Sequence, residues 1–374
     1  MPSIDDLARR AAATLGPGAG VRCLAAPGRV NLIGDHTDYC EGFVLPLAID
    51  RACVVAWRER GDGRVAVRSL DRDGVAAVAA DGADDPAAVE PGWARFVAGV
   101  VRTLGRAGRA PVGLDAVVAS SVPPGAGLSS SSALTVALTM AAGAAGKLDL
   151  DRRDLARAAL EAEVLATAVP GGLMDQLASL FGRAGHALLI DCRTLDVEPV
   201  PLPETHAVLV VHSGVERTLG NSAYAQRRAS CERAASRIGV RALRDATLAD
   251  VGDDPCARHV VSENARVLDA ASALRCGDIG RVGALMVASH TSLRDDFRVS
   301  TRELDLLVEL LLATGAVGAR LTGAGFGGCV VALVQRNHAD DVAAKTVLAY
   351  RKETGRDATA FVVRAAGGAG PVAL

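Results

Sequence analysis

The chain has 374 residues, more than one ordinary hydrophobic core uses, and at about 150 residues per domain the length points to two domains. Hydrophobic residues make up 50% and charged ones 22%, which supplies the apolar area a globular fold needs. The 41 basic and 43 acidic residues show no long run of either sign, so a polyanion-binding surface has no compositional support and nucleic acid is not an expected partner.

In chain order, MPSIDDLARR carries acids and lacks the apolar stretch of a secretory signal; it reads as an amphipathic helix. Between residues 42 and 80, VVAWRER and RVAVRSL alternate apolar and polar positions between Gly and Asp turns, as strands of a mixed sheet do. PGWARFVAGVVRTLGRAG then spaces Phe96, Val97, Val100, Val101 and Leu104 at helical intervals. The strand VGLDAVVAS leads into a Gly/Ser loop and its helix. In that helix Ala133 to Gly146 is the least polar long stretch of the chain, but it is too short for the roughly 20 residues of a membrane span and reads as buried. Two more helical stretches flank a break at Pro170-Gly171-Gly172. Strands follow at HALLID and AVLVVHSG, separated by a proline-rich connector, VEPVPLPETH, which marks a boundary between domains over 1–200 and 201–374. Beyond it the pattern predicts helices over 224–238, 257–275 and 301–314, then a strand, a glycine loop and the strand CVVALVQ, with GGAGPVAL as a frayed tail. The eight cysteines include no CxxC pair, which argues against a zinc knuckle or a disulfide scaffold and fits a reducing cytosol.

Four segments carry chemistry. GRVNLIGDHTDYCEG places Arg29, Asp35, His36 and Asp38 inside ten positions. A solvated turn is the ordinary alternative, but Asp35, His36, Asp38 and Tyr39 crowd a segment flanked by Leu32-Ile33 and Phe43-Val44-Leu45. A polyhydroxylated ligand explains them, because carboxylates accept from vicinal hydroxyls and an imidazole can donate or accept. That ligand is a sugar. VPPGAGLSSSSALTVAL runs from a strand through a glycine-rich turn into a helix, which aims backbone amides and the positive end of the helix dipole at one point, where a nucleotide phosphate would sit. A Ser-capped, tightly packed helix start is the competing reading. No GxxxxGK[ST] pattern is present, so a P-loop NTPase is excluded. TGAGFGG satisfies GxGxxG through Gly323, Gly325 and Gly328, yet a valine-rich run follows it instead of a helix, so it reads as close backbone approach between two strands that shapes the wall of the site. In EAEVLATAVPGGLMDQ, taken alone, Asp175 could merely cap the restarted helix and Glu163 could be a surface acid.

Taken in order, GRVNLIGDHTDY, PPGAGLSSSSAL and LTGAGFGGC resemble the galactokinases of the GHMP small-molecule kinase family, and the resemblance covers essentially the whole chain. It implies an α+β, two-domain GHMP kinase fold, with a left-handed βαβ unit in the N-terminal domain and a ferredoxin-like α+β C-terminal domain. It implies a cytoplasmic enzyme that transfers the γ-phosphoryl group of ATP, with Mg²⁺, to the anomeric hydroxyl of D-galactose, without a membrane partner. Carried over by position, Asp35, His36, Thr37 and Asp38 contact the sugar, and Gly172 and Tyr224 wall its pocket. Gly125, Ala126, Gly127, Leu128, Ser129, Ser130 and Ser131 form the phosphate loop, and Ser69 and Trp93 flank the nucleotide. Ser131 and Glu163 match the Mg²⁺ ligands, hard oxygen donors that suit this ion. Asp175 matches the base that takes up or orients the C1 hydroxyl proton, and Arg29 the cation beside it that stabilises charge during attack.

The pattern departs from the family at Asp35, where glutamate is commonest, at Cys40, where asparagine is common, and at Val164 and Ala168. Asp35 faces the sugar's 6-hydroxyl by position and, one methylene shorter, is expected to reach it through a water or a shifted loop. An N-acetylgalactosamine kinase and a non-catalytic galactose sensor are the competing readings. The intact Ser129 to Ala133 run, Asp175 and Arg29 count against the sensor.

Overall fold

The computed structural model describes residues 2–374 apart from Pro17, Ala19 and 216–219. Helix α1 (Ile4–Leu15) begins at a capping box between Ser3 and Asp6 and buries Leu7, Ala8, Ala11 and Leu15, the stripe that its amphipathic sequence predicts. Strands β1 (Arg22–Asn31), β2 (Phe43–Val44), β3 (Pro46–Arg60), β4 (Arg64–Ser69) and β5 (Val75–Ala79) follow. Next come α2 (Ala94–Arg106), β6 (Gly113–Ser120), α3 (Ser130–Ala145), α4 (Arg152–Thr167), α5 (Met174–Phe181), β7 (His186–Asp191) and β8 (Asp196–Pro201). The second half of the chain contains β9 (His206–His212), α6 (Gly220–Ile238), α7 (Pro255–Cys276), α8 (Ile279–Asp295), α9 (Arg302–Thr314), β10 (Gly318–Thr322), β11 (Cys329–Gln335), α10 (Ala339–Thr354), β12 (Thr359–Val363) and β13 (Gly370–Val372).

The first sheet has the order β13-β1-β3-β6-β4-β5, with β4 and β6 parallel across a connection through α2, which is a βαβ unit. Helix α1 packs on one face, and α2 to α5 build the large core with the other. Helix α3, apolar almost all round, lies in the middle of that core, as such a helix must. The β9–β12 sheet has the order β10-β11-β9-β12 and is antiparallel throughout. With the helices between β9 and β10 and α10 between β11 and β12, this is the ferredoxin-like arrangement. A third, three-stranded sheet, β2-β7-β8, lies between.

Three expectations change. The proline-rich connector contains strand β8, which the edge position allows: Pro199 and Pro201 need no amide to pair outward. Helices α8 and α10 and strand β12 escaped the sequence reading. Helix α8 carries Gly283 where the chain at Val317 crosses so closely that a Cβ would collide with the Val317 carbonyl. The tail is not frayed: β13 pairs antiparallel with β1, so the last residues complete the first sheet and cross back over the division at residue 200.

Candidate active site

The site begins at an irregularity in β1. Pairing with β3 shifts register between Pro27 and Arg29, and Gly28 meets the phosphate loop so closely that a Cβ there would lie 2.6 Å from the Leu128 carbonyl oxygen. Arg29, 5% exposed, donates through its backbone amide to that carbonyl. Its side chain forks onto Asp175, with Nε and Nη2 each 2.7 Å from a carboxylate oxygen, while Nη1 donates to the Gly127 carbonyl at 2.8 Å. The Ser129 hydroxyl donates to the same carboxylate. Asp175 lies in the first turn of α5, behind Leu173 at the cap and without a side-chain capping bond, so the capping alternative fails and the ion pair takes its place.

A cavity of about 270 Å³ opens on this pair, and Asp35, His36, Asp38, Gly172 and Tyr224 line it. His36 adopts the left-handed region at φ 66°, a backbone conformation that non-glycine residues keep only where surroundings enforce it. One ring nitrogen lies 2.9 Å from the Tyr39 hydroxyl and the other 3.2 Å from the Ala324 carbonyl, with the Phe297 ring centred 4.7 Å away. Asp38 lies directly against Gly172, where a Cβ would collide with its carboxylate; that position requires glycine. Burial, then the neighbouring Asp175 charge, pushes the Asp38 acid up to about 7. Thr37 corrects the sequence assignment: it is fully buried, its hydroxyl serves the carbonyls of Gly34 and Phe43 in its own turn, and it does not line the cavity.

A second cavity, of about 800 Å³, adjoins the first; Ser131 and Thr167 line both. Ser69, Trp93, Gly125 and Ser130 form part of its wall, with Trp93 Nε1 donating to the Asp73 carbonyl at 2.9 Å. Helix α3 starts at Ser130 behind Ser129, which sits at φ 59° and makes no side-chain capping bond. The first-turn amides therefore lack the serine cap of the competing reading and are available to an anion. Within the loop the roles divide. Ala126 and Leu128 are core residues, at 3% and 0% exposure, and line neither cavity, while Gly127 and Ser129 hold the Arg29–Asp175 pair.

Glu163 is no surface acid. Its Oε2 accepts from Ser132 and from Gln176 Nε2, each at 2.9 Å, and burial raises its acid above the ordinary range against hydrogen bonds from Ser131 and Ser132. A carboxylate and serine hydroxyls form a hard-oxygen donor set. Among the described residues no cluster of three or more His, Cys, Asp or Glu could hold a metal by itself, so a cation here would share its shell with phosphate oxygens and water, which suits Mg²⁺.

The sequence reading missed what holds the sugar motif from behind. Arg320, in β10, pairs with Asp35 at 2.5 Å. Glu263, on α7, accepts from the Gly34 amide, the Ser289 hydroxyl and Arg266 Nε at 2.9, 2.5 and 2.6 Å. Burial alone would raise the Glu263 acid, but Arg266 and its other partners outweigh it and hold it down at about 2. His259 reaches the Asp35 carbonyl at 3.1 Å. The available signal was a lone charge, Arg320, in the run GARLT.

Comparison with known proteins matches this architecture. Residues 95–183 match the model for the GHMP kinases N terminal domain and residues 270–351 that for the GHMP kinases C terminal, so the fold and the phosphate loop define a GHMP kinase. Residues 17–59, which contain the sugar motif, match the galactokinase galactose-binding signature. A galactokinase of Roseiflexus sp. (strain RS-1) is 46% identical over 93% of this chain and 92% of its own, and one of Chloroflexus aurantiacus is 45% identical over the same shares. The crystal structure of Lactococcus lactis galactokinase complexed with galactose superposes with a TM-score of 0.92 at 30% identity, covering 99% of this chain and 100% of that one. The chain belongs to the galactokinases, a family of ATP-dependent sugar kinases.

Proposed function

We propose that the protein transfers the γ-phosphoryl group of ATP to the anomeric hydroxyl of D-galactose, giving α-D-galactose 1-phosphate and ADP in the cytoplasm. The observation that carries this reading is the junction of two cavities at Ser131. One is walled by carboxylates and an imidazole and the other by a phosphate loop, and the Arg29–Asp175 pair stands on the sugar side. Asp35, Asp38 and His36 accept from or donate to the sugar hydroxyls, and Gly172 and Tyr224 close the pocket around them. Asp175 takes up or orients the C1 hydroxyl proton, and Arg29, held to both of its oxygens, stabilises charge as that oxygen attacks. Ser130, Ser131 and the first-turn amides of α3 hold the triphosphate, and Trp93 and Ser69 flank the rest of the nucleotide. Ser131 and Glu163 would hold Mg²⁺, which supplies neutralising charge to the phosphate oxygens.

The departure at Cys40 leaves the sugar pocket untouched, because that thiol is buried against Cys231 and does not line the cavity. The purified protein with Mg²⁺-ATP and a panel of hexoses should form galactose 1-phosphate, read by phosphorus NMR. No such product, or a higher kcat/KM for N-acetylgalactosamine than for galactose, would overturn the reading.

A further inference from the structure

A buried polar cluster lies beneath the sugar motif, apart from the Arg29–Asp175 pair and the phosphate loop. Arg320 has no exposed surface and sits between Ala319 and Leu321, both fully buried. A guanidinium in such a place is costly unless a carboxylate and further acceptors compensate it. Its Nη2 donates to Asp35 Oδ2 at 2.5 Å, its Nη1 reaches the Asn31 carbonyl at 3.4 Å, and its Nε has no partner among the described residues. Asp35 Oδ1 accepts from the Gly323 amide at 3.1 Å, three positions further along the same hairpin. Both carboxylate oxygens are thus held by a segment 285 positions away in sequence. Asp35 nevertheless lines the sugar cavity beside Gly323 and Ala324. A carboxylate offers about four acceptor sites, of which the hairpin occupies two.

We propose that Arg320 is a positioning residue for sugar recognition: by fixing the plane of the Asp35 carboxylate it sets which single sugar hydroxyl that group reads. The inference rests on the galactokinase reading. Burial drives the Asp35 acid upward, and the Arg320 charge opposes that rise. His36 makes its side-chain contacts to Tyr39 and the Ala324 carbonyl, and Asp175 to Arg29 and Ser129.

The test is a kinetic panel with saturating Mg²⁺-ATP, using galactose and its four monodeoxy analogues at C2, C3, C4 and C6. Arg320→Gln is expected to lower kcat/KM for galactose about tenfold, mainly through KM, the scale of a lost hydrogen bond to a charged group. It should lower three analogues alike and one by less than about twofold, and that one should also be the analogue insensitive to Asp35→Ala. Arg320→Lys keeps the buried charge and is expected to give the same pattern with a smaller loss; if Arg320→Gln does not fold, the lysine variant decides. Equal losses across the panel, or different insensitive analogues for Arg320 and Asp35 variants, would overturn the proposal. Wild-type protein that turns over no galactose would overturn the kinase reading itself, so the two failures are distinguishable.

Discussion

The two halves of the cleft are built on different principles. The sugar half is small, about 270 Å³, and draws its wall from β1 and the turn after it, from α3, α4, α5 and α6, and from the hairpin after β10. Asp35 and His36 are almost wholly buried, at 1% and 3% exposure, and are held from behind by Arg320 and by Tyr39 and Ala324, while Asp38 and Asp175 are half-buried. The nucleotide half is about 800 Å³, and all its lining residues fall between Cys53 and Thr167. A triphosphate needs charge and amides at one point, which a single loop and helix end supply. A sugar differs from its epimers only in hydroxyl directions, so its readers must be held rigidly, and the rigid supports come from distant parts of the chain.

The largest test of that contrast is Asp175, which stands on the sugar side and is proposed to take up or orient the C1 hydroxyl proton. Asp175→Asn should lower kcat by about a hundredfold or more, the scale of a positioned base, while nucleotide binding and the melting curve stay put. A near-normal kcat would reduce Asp175 to an anchor for Arg29.

The pH dependence separates the halves next. Asp38 titrates near 7 because burial and Asp175 raise it, against the Tyr39 amide and Arg29, with Asp35 adding to the rise. Its ionised form is the acceptor, so kcat/KM for galactose should fall as pH drops through about 7, by up to about tenfold per unit, with KM for ATP flat. Asp38→Asn should erase that inflection; an unchanged profile would assign the titration elsewhere.

Asp35→Ala should weaken kcat/KM for galactose by about 1 to 3 kcal/mol and matter much less for 6-deoxygalactose. Equal losses on both sugars would make Asp35 a support for the loop. The smallest effect is expected on the open side: Trp93→Ala should raise KM for ATP about fivefold, roughly the 1 kcal/mol of one exposed aromatic contact, and leave KM for galactose unchanged. A rise in both would mean that the two cavities are less independent than their linings indicate.

The sequence by itself determined the local elements and the chemistry they carry. Period-two and period-3.6 patterns located β3, β4, β6, α2 and α3, and the Gly/Ser loop, the Pro-Gly-Gly break and the DHTD cluster announced a phosphate site and a sugar site. Those signals are short-range, because side-chain periodicity, turn chemistry and helix-end amides follow from neighbours in the chain. The resemblance also placed Arg29 beside Asp175, and the structure added the two-pronged geometry of that pair; only the tertiary structure decided that Thr37 and Leu128 line neither cavity and that β13 closes the first sheet. It alone revealed the Arg320 contact. A buried charge is tolerated wherever the fold brings a partner within hydrogen-bond distance, and for Asp35 that partner lies 285 residues away, where no local pattern records it.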